Sequence, residues 1–172
     1  MDATVQALQA PDGSDLAIEA VARAAGVGKQ TIYRWWPSKG ALAAEALASY
    51  AAAVVPLPDT GSLRCDIESF FRDSFAALQD PGTARALRRM LSLGLADPHF
   101  GTALGEFTAL RRKDLRTLFE RGRDRGQLAA DADLDVLVDL GYGFLWYRFL
   151  VGHAPLDGRA AAALAAHLLG TQ

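Results

Sequence analysis

Almost nothing in the 172 residues alternates with the period of two that a strand requires, whereas apolar residues recur at helical spacing between regularly placed chain breakers. The breakers are Pro11-Asp12-Gly13, Gly26 to Gly28, Pro37, Pro56 to Gly61, Pro81-Gly82, Asp97-Pro98, Gly126, and Pro155 to Gly158. Between them, Leu42, Ala46, Leu47, Tyr50 and Val54 lie at helical spacing. Phe107, Leu110, Leu115, Leu118 and Phe119 form another face, which is expected to leave Arg111, Arg112, Lys113 and Asp114 largely outside. The pattern predicts an all-α chain with helices near 2–10, 16–25, 29–35, 38–54, 62–79, 83–96, 99–125, 131–152 and 159–170.

The first three predicted helices are short and tightly connected, and the later ones are long. That suggests a small head, 1–45, on a larger helical body, 46–172. Ser38, after the Pro37 break, suits the N-cap of the helix that connects them. Leu16 to Trp36 reads as a short amphipathic helix, a Gly26-Val27-Gly28 turn and a second short helix, the helix-turn-helix pattern. Ile18, Val21 and Ala22 can face inward, and Gly26 can take the positive φ of a helix C-terminus. Ile32 and Trp36, four apart, would anchor the second helix and leave Lys29, Gln30, Thr31, Tyr33 and Arg34 outward. A surface of amide, hydroxyl and cation suits base edges and phosphates.

Together with Pro37-Ser38-Lys39 and Leu42, this segment (IEAVARAAGVGKQTIYRWWPSKGAL, Ile18 to Leu42) resembles the DNA-binding domain of the TetR family of bacterial transcriptional regulators. The resemblance implies a dimeric repressor or activator, read here as a ligand-responsive repressor, whose head binds a palindromic double-stranded DNA operator and whose body senses a small molecule. It implies that Gly28, Lys29, Gln30 and Thr31 lie near bases, and Thr31, Tyr33, Trp35 and Lys39 near phosphates. Arg34 is either a further DNA contact or a solvated charge. Two departures from the family pattern stand out. By comparison with the family pattern the chain is expected to enter the first helix partway along, so a basic, helix-forming extension upstream is expected to raise head stability and DNA affinity. Ala17 stands where the family favours a capping threonine, a loss expected to cost about 0.5–2 kcal/mol unless Asp15 or Ser14 takes over the role. The alternative reading is a helical protein that binds a small molecule or a partner and whose shortened head has lost useful DNA affinity.

Composition limits the other classes. Hydrophobic residues make up 51% and charged residues 22%, so the chain is expected to fold. With 18 Lys plus Arg against 20 Asp plus Glu, the net charge is −2 and any nucleic-acid site must be local. Neither a signal peptide nor a stretch of roughly 20 apolar residues is visible, so a soluble cytoplasmic protein without membrane association is expected. Cys65 stands alone and is expected to be buried and inert. His99, His153 and His167 show no metal-ligand spacing, so no metal site is expected. No phosphate loop or nucleophile motif is present, and neither a catalytic residue nor a cofactor is expected. The run Arg111-Arg112-Lys113 with Arg116 reads as a solvated face partnered by Asp114 and Glu120. Asp131, Asp133, Asp135 and Asp139 suit the start of a helix.

Two expectations concern the body. Leu134 to Val151 is apolar nearly all round, which requires two buried faces. A homodimer packing the last two helices against their copies as a four-helix bundle supplies the second face. Aromatic and other large apolar residues are numerous, and Phe71, Phe107, Tyr142 and Trp146 are candidates, as a set, for the pocket of a neutral, apolar ligand. Core packing alone accounts equally well for any one of them.

Overall fold

In a computed structural model the described residues are 2–10 and 16–170. Among them there are nine helices and no strand: α1 (Asp2–Gln9), α2 (Ile18–Ala24), α3 (Lys29–Trp35), α4 (Lys39–Val54), α5 (Leu63–Gln79), α6 (Pro81–Ala96), α7 (Pro98–Asp124), α8 (Leu134–Val151) and α9 (Gly158–Leu168). The all-α expectation is met, with helix ends displaced by three residues or fewer. Capping explains the displacements. Asp80 accepts from Thr83 N at 2.7 Å with Pro81 at the first helical position, so α6 starts earlier than the periodicity suggested. Asp133 accepts from Asp135 N and Val136 N at 3.0 and 3.2 Å, so α8 starts later. Ser14 and Asp15, the proposed caps of α2, lie outside the described residues. Among these residues no helix is long and apolar enough to cross a membrane.

The chain divides into two compact units, Met1–Ala53 with Asp80–Leu110, and Val54–Gln79 with Arg111–Gln172. In the first, α1 packs on both α2 and α6. Val5 and Leu8 of α1, Ile18 and Val21 of α2, Leu42 and Leu47 of α4, and Met90 of α6 are buried. Arg85 Nε donates to the Gln9 carbonyl at 2.9 Å, satisfying an acceptor at the end of α1. The Tyr50 and Thr83 hydroxyls share a hydrogen bond of 3.0 Å between α4 and α6. Thus α6 packs on α1, and with the start of α7 it belongs to the same compact unit as the first three helices.

In the second unit, Phe70, Phe71 and Phe75 of α5 are fully buried with Leu115 and Phe119 of α7, Val138 of α8 and Ala161 of α9. Phe71 meets Phe70 edge-on at 5.5 Å between ring centroids and Tyr142 at 6.5 Å. Charge pairs fix the register of α7 against α8: Arg112 pairs with Asp139, and four residues on, Arg116 pairs with Asp135, four residues back. Arg116 also pairs with Glu120 at 3.0 Å. The segment before α5 is clasped by the end of α7. Arg121 donates to the Pro58 carbonyl at 3.3 Å, Arg125 to Asp59, and Gln127 both accepts from Leu63 N and donates to the Gly61 carbonyl at 2.8 Å. Asp66, 2% exposed, accepts from Thr60 N and Oγ1 at 2.8 and 2.7 Å.

Two expectations are corrected. Arg111 is buried and Leu110 is 52% exposed, the reverse of the sequence reading. Residue 111 stands four from both Phe107 and Leu115, on the same face, and its guanidinium lies 5.1 Å from the Phe70 ring centroid and bonds Asp114 at 2.9 Å. Cys65 is exposed, because the inward positions of this turn are Leu63, Asp66 and Ile67.

A Cβ added at Gly141 would stand 2.7 Å from the Phe71 ring and 3.2 Å from Leu115, both fully buried. Gly141→Ala is therefore expected to destabilise by about 1–3 kcal/mol through overpacking. At Gly105, where nothing lies within 4 Å, Gly105→Ala is expected to stabilise by roughly 0.5–1 kcal/mol. Denaturant melts at one fixed protomer concentration compare the two, and an equal response at both positions contradicts the close approach of α8 to α5.

Candidate nucleic-acid interface

Two short helices and the turn between them build the surface. Ala17 is the N-cap residue of α2, and its own side chain makes no capping hydrogen bond. It ends through Gly26, whose φ of 67° is open to glycine, with Gly26 N donating to the Arg23 carbonyl at 3.2 Å and Val27 N to the Ala22 carbonyl at 3.0 Å. These two bonds form a Schellman motif and turn the chain sharply into α3. Ile32 is the buried residue of α3, while Gly28, Lys29, Gln30, Thr31, Tyr33, Arg34 and Trp35 are exposed, Tyr33 by 42% and Trp35 by 72%. Lys39, half-buried, opens α4, where the Ser38 hydroxyl accepts from Ala41 N at 3.1 Å.

Cations outnumber carboxylates here, with Arg23, Lys29, Arg34 and Lys39 against Glu19 and Glu45 between residues 16 and 54. Both carboxylates are engaged with α3 or the residue after it. Glu45 accepts from the Trp36 indole N–H at 2.8 Å, and Glu19 pairs with Lys29. The hydrogen bond from Lys29 holds the Glu19 carboxyl below its usual range, and the same bond raises the Lys29 ammonium above its own. The sequence offered only a local charge count for these two acids. Nothing in a spacing of ten or nine residues reveals a pairing that depends on the angle between α2, α3 and α4.

The candidate ligand residues are distributed differently. Phe71, Tyr142 and Trp146 are in the second unit, whereas Phe107, 7% exposed, is in the first. Phe71 and Tyr142 touch edge to face, and the Tyr142 hydroxyl donates to the Arg111 carbonyl at 2.8 Å. Burial pushes the Tyr142 phenol well above its ordinary value. Trp146, half-buried, meets Phe149 edge-on at 5.9 Å. Along α8, Leu134, Val138, Gly141, Leu145 and Phe149 are buried, while Val136, Leu140, Tyr147, Leu150 and Val151 are at least 50% exposed. His153 lies against the Tyr147 ring at 4.6 Å, and His167 Nδ1 is 2.8 Å from the Ala163 carbonyl. The side chain of His99 lies outside the described residues. Among these, no group of three or more His, Cys, Asp or Glu residues is disposed to hold a metal.

Comparison with known proteins finds matches over both parts of the chain. Residues 1–46 match the family described as bacterial regulatory proteins, tetR family, and residues 57–168 match the tetracyclin repressor-like C-terminal domain. The chain is 30% identical over 135 residues to the uncharacterized HTH-type transcriptional regulator YdeS of Bacillus subtilis, covering 78% of this chain and 68% of that protein. It is 32% identical to the HTH-type transcriptional regulator AqdR of Rhodococcus erythropolis, covering 80% and 66% respectively. The crystal structure of the TetR family transcription regulator SCO0332 superimposes with a TM-score of 0.85 at 33% identity, covering 97% of this chain and 92% of that one. The fatty acid degradation regulator FadR from Bacillus halodurans shares the fold, with a TM-score of 0.71 at 17% identity over 99% and 96% of the two chains. The chain belongs to the TetR family of bacterial transcriptional regulators.

Proposed function

We propose that the chain is a ligand-responsive repressor that acts in the cytoplasm, binding a palindromic operator as a dimer, with 1–45 as its DNA-binding domain and 46–172 as its ligand-binding and dimerisation domain. The observation that carries the DNA reading is the one-sided burial of α3. Ile32 faces inward, and its other side chains offer amide, hydroxyl and cation to the outside. On this reading α3 enters the major groove with Gly28, Lys29, Gln30 and Thr31 at base edges. Thr31, Tyr33, Trp35 and Lys39 hold the backbone, with Arg34 beside them.

The dimer reading is supported by the second apolar stripe of α8. Val136, Leu140, Tyr147, Leu150 and Val151 recur on the side opposite its buried face, an arrangement that suits packing against a copy. With α9 completing the bundle, two α3 helices would address successive major grooves about 34–36 Å apart. For the ligand, the aromatic set in the second unit supports a neutral, apolar molecule near Phe71, Tyr142 and Trp146, with Phe107 of the first unit as the remaining candidate. Because the Tyr142 hydroxyl already has the Arg111 carbonyl, its hydrogen bond would have to be exchanged for one to the ligand.

Selection from a randomised duplex pool tests the main reading, which expects a palindrome to be enriched. Sequence-independent, salt-sensitive binding alone supports the reading in which the head has lost useful affinity. Lys39→Ala is expected to weaken all duplexes alike and lower the salt slope by about 1, while Gln30→Ala relaxes preference at particular base pairs by roughly 1–3 kcal/mol. Normal operator binding by both variants rejects the assignment.

Leu140→Glu places a charge on a side chain already 56% exposed, so the fold should survive and the dimer should not. Sedimentation at micromolar concentration is expected to show a monomer, and a retained dimer puts the interface elsewhere. Apolar aromatic compounds that raise the melting temperature are expected to lose that effect in Trp146→Ala. Stabilisation that persists in this variant and in Phe107→Ala moves the pocket away from these residues.

A further inference from the structure

The Glu19–Lys29 pair joins α2 to the first residue of α3 on the same exposed surface as the candidate DNA contacts, with 59% and 50% of the two side chains open to solvent. Lys39, the candidate phosphate clamp, acts on the same carboxylate, and the bond from Lys29 keeps that carboxylate ionised below the usual range. Glu45, the other acidic residue between 16 and 54, is engaged by the Trp36 indole. Between residues 16 and 54, Glu19 is therefore the carboxylate that faces the interface cations.

An ammonium has three donors. Beside a guanine edge, Lys29 can offer donors to O6 and N7 while one remains on Glu19, because the edge carries no net charge. Beside a phosphate, the ammonium is contested by two anions that repel each other, so sequence-independent binding gains less from it. We propose that Glu19 is a positioning residue that acts through Lys29, restraining its capture by phosphates and thereby widening the difference in affinity between the operator and other DNA. The proposal rests on the reading that Lys29 lies in the DNA interface.

The test uses the full chain as wild type, Glu19→Gln, Lys29→Gln and the double variant. Two probes are titrated between about 50 and 200 mM salt: a palindromic duplex enriched by the wild type from a randomised pool, and a mixed-sequence duplex of equal length. Glu19→Gln is expected to bind the mixed-sequence duplex more tightly, with a salt slope steeper by about 0.9. Its advantage over wild type should shrink roughly threefold across that range. Operator affinity should rise less, so the ratio of the two falls. In the Lys29→Gln background most of the effect of the Glu19 change should disappear, leaving the smaller part exerted through Lys39, and the melting temperature of Glu19→Gln should match wild type. The proposal is overturned by an unchanged slope and ratio in Glu19→Gln, or by an effect that persists undiminished without Lys29. If Lys29→Gln itself leaves both probes unaffected, Lys29 is not in the interface, and the underlying reading falls too. A weakened Lys29→Gln with a silent Glu19→Gln removes the role of Glu19 alone.

Discussion

A helix of seven residues does not persist in water by itself, because nucleation costs more than two turns of hydrogen bonding return. α2 and α3 are both that short, so the proposed DNA-reading surface exists only through packing. Burial of Ile32 against the rest of the first unit and the Trp36–Glu45 bond fasten α3 at its middle and just past its end. One inward side chain is enough for a helix of this length. It leaves the remaining side chains from Lys29 to Trp35 outside, which is what recognition requires. The Schellman turn at Gly26 sets the direction in which that exposed face points.

Much of this was legible in the sequence because it depends on short-range rules. Proline and glycine mark helix ends wherever they fall, and Gly26 carries the positive φ that its place after α2 suggested. Ser38 caps α4 as its position after Pro37 implied. Misreadings arose where one face had to be chosen over its neighbour by a single residue. Leu110 looked like the buried member of α7 by hydropathy, yet Arg111 occupies the face of Phe107 and Leu115, buried with the help of the Phe70 ring and Asp114. For Cys65, average preference for burial was outweighed by its phase on α5.

The site was legible to different depths. Residue types along α3 indicated the exposed surface, since one helix supplies nearly all of it. Glu19 carried no such mark, because its meaning comes from Lys29 on another helix. The aromatic residues of the body were countable, but not their partners: Phe71 lies within a ring cluster and Tyr142 holds a backbone carbonyl. Periodicity said more about α8 than about any ligand. A helix apolar all round was expected to need two buried faces, and one chain buries one of them.

The clasp before α5 has a consequence for modularity. Connections between helices are usually where chains can be cut and rejoined, since their backbone groups face solvent. Here the backbone groups of Pro58, Gly61 and Leu63 bond to side chains on the last turn of α7 or just beyond it, and Val55 is buried in the second core. A chimaera that gives this body a different head must therefore join before Val55, inside the end of α4. Splicing at the apparent linker would strip Arg121, Arg125 and Gln127 of the groups they hold.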